Sequence, residues 1–423
     1  MIKLLVIADD FTGALDTGIQ FKARNTLVRV CNADPQNIFN ALSEDIQVFI
    51  VVAETRHMNP KEAGEIVEQI VRQAQELDIP YIYKKTDSAL RGNIGSELSA
   101  MLSASPEDSL HFIPAFPKMG RTTVNGVHYI DRIPVAESVF GSDLFEPVQF
   151  SHVKDIIAQQ SSVETHLICT VEERDIAKGV LIYDAETDED LFRIAHRLKE
   201  KNQLRLLAGC AGFAALLPKL LDLEQCCYNP TPMCPHFLTV CGSINPITLE
   251  QLEAAERSGF FRIRLTLKQK MDTSWRDSEE GKREIFQWMN TLQNCSAAII
   301  DCGGQREAEE IWEYARVNKI EIENIRCTIA KAVAKIVERL IGNGLEATLL
   351  VTGGDTLLAL MRELHQDSLV PVCELAPGVV LSRIQYREKE ISLISKSGGF
   401  GSTDLLCDLA EKIIPDSKEE MVC

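Results

Sequence analysis

The chain has 423 residues, of which 45% are hydrophobic, and 44 basic against 62 acidic side chains give a net charge of −18. That length suits two domains of ordinary size, each with enough apolar content for its own core. The acidic balance, with no long basic run, excludes nucleic acid and anionic membranes as natural partners, while local Lys and Arg can still hold a small anion.

Along the chain, the first segment is Leu4-Leu5-Val6-Ile7-Ala8-Asp9-Asp10-Phe11-Thr12-Gly13-Ala14. An apolar run ends in two adjacent carboxylates and turns through Thr-Gly into a helix-like stretch. This is the pattern of a buried parallel strand delivering acids to the carboxyl edge of a sheet, where open α/β folds keep their ligands. Two acids there are costly unless they bind a cation, activate a hydroxyl or pair with a base. Helix capping by Asp10 would explain one of them. The apolar start is short and interrupted by Asp9-Asp10, so no signal peptide is expected. No window approaches the roughly 18 uninterrupted apolar residues of a membrane span.

Further strands are expected at 27–31, 48–53, 81–86, 110–114, 166–169 and 180–183. Helices are expected at 61–77, where Ala63, Ile66, Val67, Ile70, Val71 and Ala74 recur at helical spacing, and at 190–201. A strand at 204–208 followed by Gly209 and a helix closes this half. Proline-rich 224–236 reads as a linker between domains at 1–228 and 236–423. Its cysteines and His236 lack the spacing of a metal site. The α/β rhythm then restarts, with strands at 237–240, 297–301 and 348–352, helices near 246, at 330–340 and 357–364, a strand around Ile391 to Ile394, and a final helix. The expected fold is α/β, with two domains each built on a mostly parallel sheet flanked by helices.

Three strand-glycine-helix junctions fall in the second half: at Ser243, at Gly353-Gly354-Asp355-Thr356, and at Gly398-Gly399-Phe400-Gly401. Glycines let backbone N–H groups approach phosphate oxygens, and helix N-termini add free donors, so three such loops point to a polyphosphate. No GxxxxGK[ST] occurs, and Asp404 stands where the last glycine of GxGxxG belongs. In the first half, Lys84-Lys85-Thr86-Asp87-Ser88-Ala89-Leu90-Arg91 follows a strand, and Glu54-Thr55-Arg56 ends its neighbour. Acids at 9–10 beside cations at Arg56, Lys85 and Arg91 suit a small molecule with a carboxylate at one end and a hydroxyl at the other. The Pro/Gly-rich segment 112–126 suits a substrate-facing loop, and its Asn125-Gly126 suits a hairpin turn. The histidines form no HxH or HExxH pattern, and no GxSxG is present, so no catalytic His, zinc site or α/β-hydrolase is expected. Thirteen cysteines without framework spacing fit reduced thiols and a cytosolic location.

These segments together resemble the four-carbon acid sugar kinase family. The markers are Ala8 to Gly18, Lys84 to Gly95, Pro114-Ala115-Phe116-Pro117 with Gly120-Arg121-Thr122, Gly242-Ser243 with Thr248 and Gln251, Val351 to Thr356, and Lys396 to Gly401. The resemblance implies an N-terminal sugar-acid domain, a C-terminal nucleotide domain, and ATP-dependent phosphorylation of the terminal hydroxyl of a four-carbon sugar acid. The run Lys-Thr-Asp-Ser-Ala-Leu-Arg-Gly-Asn is closer to the D-threonate and D-erythronate kinases than to those acting on 3-oxo-tetronate. Asp355 replaces an expected Glu, and Ala89 an expected Thr; neither change removes a charge. The implied roles are substrate binding by Asp10, Arg56, Lys85, Thr86, Asp87, Ser88 and Arg91, with Asp10 or Asp87 taking the hydroxyl proton. ATP phosphates would lie on Ser243, Gly353, Gly354, Asp355, Thr356, Gly398, Gly399 and Gly401. Mg²⁺ is implied by ATP, without a visible ligand motif. Phosphoryl transfer requires the two domains to meet, which implies closure about the 224–236 linker. The alternatives are a 3-oxo-tetronate 4-kinase and a nucleotide-dependent oxidoreductase on a similar scaffold. A homodimer is compatible with the sequence.

Overall fold

The computed structural model describes residues 2–21, 26–30, 38–40, 42, 46–142, 147–168, 178–223, 232–243, 245–303, 308–321, 324–396 and 399–414. The chain divides into two compact units, 1–228 and 229–423. Most of the expected linker, residues 224–231, lies outside the described residues, as does Gly398.

In the first unit the strands are β1 (Leu4–Ala8), β2 (Thr26–Val30), β3 (Val48–Val52), β4 (Tyr81–Lys85), β5 (Ser109–Ile113), β6 (Arg121–Val124), β7 (Val127–Ile130), β8 (Ile133–Pro134), β9 (Thr165–Ile168), β10 (Gly179–Tyr183) and β11 (Leu206–Gly209). A parallel sheet runs in the order β2-β3-β1-β4-β11-β5-β10-β9. β1 and β3 are buried along their whole length, which is why they read as unbroken apolar runs. The helix Pro60–Glu76 starts where Asn59 accepts the Lys61 N–H and buries Ala63, Val67, Ile70, Val71 and Ala74. Truncating Ile70 to Ala there would cost about 2–5 kcal/mol in lost packing.

The end of the segment read as a substrate-facing loop enters a small antiparallel sheet, β6-β7-β8. Its first hairpin closes at Asn125-Gly126, both with positive φ. The Asp184 carboxylate accepts both of their N–H groups, so this sheet is fastened to the end of β10. The helix expected over 209–221 is broken into Ala211–Ala214 and Leu217–Leu220, with Pro218 in the first turn of the second piece.

The second unit holds β12 (Phe237–Cys241), β13 (Phe261–Arg264), β14 (Ala297–Asp301), β15 (Thr348–Thr352), β16 (Ser368–Ala376), β17 (Val379–Tyr386) and β18 (Lys389–Lys396). They run β13-β14-β12-β15-β18-β17-β16, parallel up to β18 and antiparallel beyond it. Asp301, Cys241, Thr352 and Lys396 stand in register at the carboxyl ends of β14, β12, β15 and β18. Among the described residues no disulfide joins two cysteines, and no helix is long and apolar enough to cross a membrane.

Candidate active site

In the first unit three strand ends converge. β1 lies between β3 and β4, with Ala8 in register with Val52 and Lys85, so the residues after each strand arrive at one place. Asp10 caps the helix Phe11–Gly18, and its Oδ1 accepts the Gly13 N–H at 2.9 Å. Its Oδ2 faces Arg56 Nη1 at 2.7 Å. Capping and ion pairing use different oxygens, so the cap leaves the charge in play. Arg56 Nε donates to Asp9 Oδ2 at 2.8 Å, and Arg56 Nη2 stands 3.7 Å from Asp87 Oδ1. One guanidinium therefore ties the loops after β1, β3 and β4 together.

Asp87 is gripped by Arg91 through two prongs, Nε to Oδ2 at 2.8 Å and Nη2 to Oδ1 at 3.1 Å. Burial alone would raise the Asp87 pKa; the Arg91 and Arg56 guanidiniums outweigh it and hold the carboxyl far below the usual range. Asp9 is likewise lowered: burial opposes ionisation, and Arg56, Lys84 and Lys85 overcome it. The Arg56 pKa is raised well above normal, because Asp10, Asp9 and Asp87 outweigh its desolvation. Both arginines expected to hold a substrate carboxylate thus already hold aspartates.

β4 stops at Lys85, so Lys85 and Asp87 do not share a strand face as they would on a longer strand. Lys85 Nζ donates to the Thr86 carbonyl at 2.8 Å. A Cβ on Gly13 would stand 2.5 Å from Asp10 Oδ1 and 2.7 Å from Lys85 Nζ, so glycine there leaves room for both side-chain ends in their present positions. Asp9 Oδ1 and Thr86 Oγ1 are buried here without a hydrogen-bond partner among the described residues. Buried polar atoms are rarely left so, and these two mark where a polar ligand or water belongs. A cavity of about 410 Å³ opens beside Arg56 and Arg91 and is lined also by His57, Asn93 and Gln160.

Behind these groups lies a layer the sequence reading missed. Lys84 Nζ pairs with Glu97 Oε2 at 3.1 Å, both side chains being essentially inaccessible, and Thr55 Oγ1 donates to Glu97 Oε1. Burial pushes the Glu97 carboxyl up against the pull of Lys84. Removing one partner of such a pair costs about 3–5 kcal/mol, since the other charge is left buried alone. Asn93 Nδ2 donates to the Thr55 and Met58 carbonyls at 2.7 and 2.9 Å, fixing the backbone on both sides of Arg56. His128 reaches across from β7 to the Ser88 carbonyl, with Nε2 at 2.9 Å, while Nδ1 meets Thr123 Oγ1 at 3.0 Å. A carbonyl only accepts, so Nε2 carries the proton. Burial depresses the His128 pKa to about 4 and keeps the ring neutral. Ser88 enters the site through this carbonyl. Lys84, Thr55 and Asn93 stand in runs that the sequence singles out but without an assigned role, and Glu97 and His128 carry no motif signal, because their partners are distant side chains and backbone carbonyls.

In the second unit the junctions at Ser243 and Gly353 touch. Gly242 N–H donates to the Thr352 carbonyl at 3.1 Å, and a Cβ on Gly242 would stand 1.8 Å from Thr356 Oγ1. Gly353 precedes the helix Gly354–Glu363, with Asp355 and Thr356 in its first turn and Asp355 Oδ2 3.6 Å from Arg326 Nε. The helix Pro246–Arg257 opens beside Ser243, whose Oγ accepts the Asn245 N–H at 3.2 Å. Gln251 Nε2 donates to the Phe400 and Ser402 carbonyls at 3.0 and 2.8 Å, drawing the Gly399 to Gly401 loop onto that helix. Two helix N-termini and a third loop thus come together, with the Thr356 side chain packed against Gly242, and helix N-termini gathered in this way suit phosphate groups. Among the described residues no cluster of three or more His, Cys, Asp or Glu forms a metal cage.

Residues 4–217 match the model of a sugar-binding N-terminal domain, and residues 238–406 that of a nucleotide-binding C-terminal domain. The chain is 27% identical to a D-threonate kinase of Salmonella typhimurium over 100% of both chains. It is 26% identical to a D-erythronate kinase of Heliobacterium modesticaldum over 99% of each. It is also 26% identical to a 3-oxo-tetronate kinase of Haemophilus influenzae, covering 94% of this chain and 97% of the relative. Two solved structures share the fold. One, from Salmonella typhimurium, has a TM-score of 0.78 at 18% identity and covers 98% of this chain and 100% of its own. The other, from Haemophilus influenzae, has a TM-score of 0.73 at 20% identity over 97% and 100%.

Proposed function

The chain belongs to the four-carbon acid sugar kinase family, and from that premise we propose that it transfers the γ-phosphoryl group of ATP to the terminal 4-hydroxyl of D-threonate or D-erythronate. Family membership sets aside the oxidoreductase alternative. The observation that carries this reading is the junction at Arg56, where one guanidinium links Asp9, Asp10 and Asp87 beside the buried, unsatisfied Asp9 Oδ1 and Thr86 Oγ1.

Phosphoryl transfer asks the protein for in-line positioning and charge compensation more than for covalent chemistry. Asp10 is the better placed proton acceptor. Asp87 is held strongly ionised by two arginines and is a weak base. Asp10 keeps its carboxylate 24% exposed, within reach of a substrate hydroxyl, whereas that of Asp87 is 10% exposed. Arg91 and Lys85 supply the positive charge for the substrate carboxylate, and Asp87 orients Arg91. The Gly242, Gly353 to Thr356 and Gly399 to Gly401 backbone would receive the nucleotide phosphates. Mg²⁺ would arrive with the nucleotide, which supplies most of its ligands together with water.

The reading is tested by incubating the full chain with ATP and ¹³C-labelled D-threonate or D-erythronate and locating the phosphate by NMR. Carbon–phosphorus coupling at C4 is the expected outcome. Phosphate at C2 or C3 would show that Asp10 does not face the terminal hydroxyl.

A further inference from the structure

The glycine junctions of the second unit offer backbone N–H donors, each helix N-terminus amounting to about half a positive charge. A nucleotide polyphosphate carries several negative charges, and nucleotide sites commonly add a cationic side chain. β18 ends at Lys396, which lies in register with Thr352 on β15, and Thr352 lies in register with Cys241 on β12. Register partners on parallel strands point to one face of a sheet. Lys396 therefore stands in the row from which the Ser243 and Gly353 junctions depart, on the strand that leads to the third loop. It is 3% exposed, and its Nζ lies 3.3 Å from Oγ1 of Thr248 in the first turn of the helix Pro246–Arg257. The neighbouring Thr352 Oγ1 is buried without a hydrogen bond among the described residues. A polar atom so placed calls for a partner outside the described residues, such as a ligand or water.

Resting on the nucleotide reading of this unit, we propose that the Lys396 ammonium binds a phosphate oxygen of ATP and supplies the full positive charge that the backbone donors lack. Burial depresses its pKa to about 8, with Cys241 opposing the shift. An arriving phosphate would favour the charged form.

The test is calorimetric titration of the full chain with ATP over a range of salt concentrations, for wild type, Lys396→Met and Lys396→Gln. The glutamine variant keeps a donor for Thr248 and guards against loss of folding in the methionine variant. Both variants are expected to raise the Kd for ATP about 10- to 100-fold. Both should also flatten the dependence of Kd on salt, because one screened charge contact is gone. A merely structural lysine would lower the melting temperature and leave the salt dependence unchanged. Variants that bind ATP with wild-type affinity and salt dependence would overturn the role of Lys396 alone. A wild-type chain that binds no ATP would overturn the nucleotide reading together with it.

Discussion

Arg91 and Asp87 form a two-pronged ion pair, Nε to Oδ2 at 2.8 Å and Nη2 to Oδ1 at 3.1 Å, only four residues apart in a loop. The Arg91 guanidinium is thus fixed in place by Asp87 before substrate arrives. Such fixing lowers the ordering cost of binding.

Arg91→Ala removes a cation and also releases the Asp87 charge into the site. The KM for the sugar acid is expected to rise steeply, by the equivalent of roughly 2–5 kcal/mol for a buried charge-assisted contact. Preference for the acid over threitol or erythritol should flatten, with ATP binding unchanged. Steady-state kinetics on the acid and alcohol pair checks this. Retained preference would move the carboxylate to another cation, Arg121 being the next to test.

Asp10→Asn and Asp87→Asn should separate proton transfer from positioning. The first keeps the size of the group and loses its basicity, so kcat is expected to fall about 10²- to 10⁴-fold with the KM for ATP kept. The second frees Arg91, so its main effect should fall on the KM for the acid. Comparing kcat and KM for the two variants decides between the carboxylates, and the reverse pattern would exchange their roles.

Stability should fall as the solution is acidified from pH 7 to 5. His128 and His111 are buried neutral, each with a pKa depressed to about 4 by burial. The unfolded chain binds protons at both below about 6.5, whereas the folded chain refuses them until about 4. Their stability is therefore full above 6.5 and lost as pH falls through that window, at about 2 kcal/mol each between pH 7 and 5. Urea melts of wild type and His128→Gln at the two values check the sign and size; the variant should lose about half as much from these two groups.

Gly242→Ala places a methyl carbon where Thr356 Oγ1 stands, 1.8 Å away. Either the Thr356 side chain must turn or the first turn of the helix Gly354–Glu363 must shift, so the KM for ATP is expected to rise while the KM for the sugar acid is unchanged. Equal effects on both substrates would mean that the junction is structural.

Most of the parallel strands were legible because burial on both faces writes them as continuous apolar runs; 297–301 and 348–352 are read to the residue. The antiparallel strands β16 and β17 were not. Pro371 interrupts the first, and its register slips between Pro371 and Cys373 and again between Glu374 and Ala376, which destroys alternation. The helix Glu279–Leu292 buries only Gly281, Ile285, Met289 and Leu292 of its fourteen residues, a stripe too sparse to stand out. The meeting of Asp10, Arg56, Lys85, Asp87 and Arg91 at one sheet edge was legible because Lys85 ends a strand and the others follow strands whose ends are predictable. Glu97, Asn93 and His128 were not, because what they hold is 35 to 42 residues away in the chain.

The central claim is tested most directly by coupled ADP release from the full chain with ATP, offered in turn D-threonate, D-erythronate, 3-oxo-tetronate, threitol and erythritol. The expected result is substrate-dependent ADP release with D-threonate or D-erythronate, little with 3-oxo-tetronate, and none above background with the alcohols. Turnover confined to 3-oxo-tetronate, or as fast with the alcohols as with the acids, would contradict it.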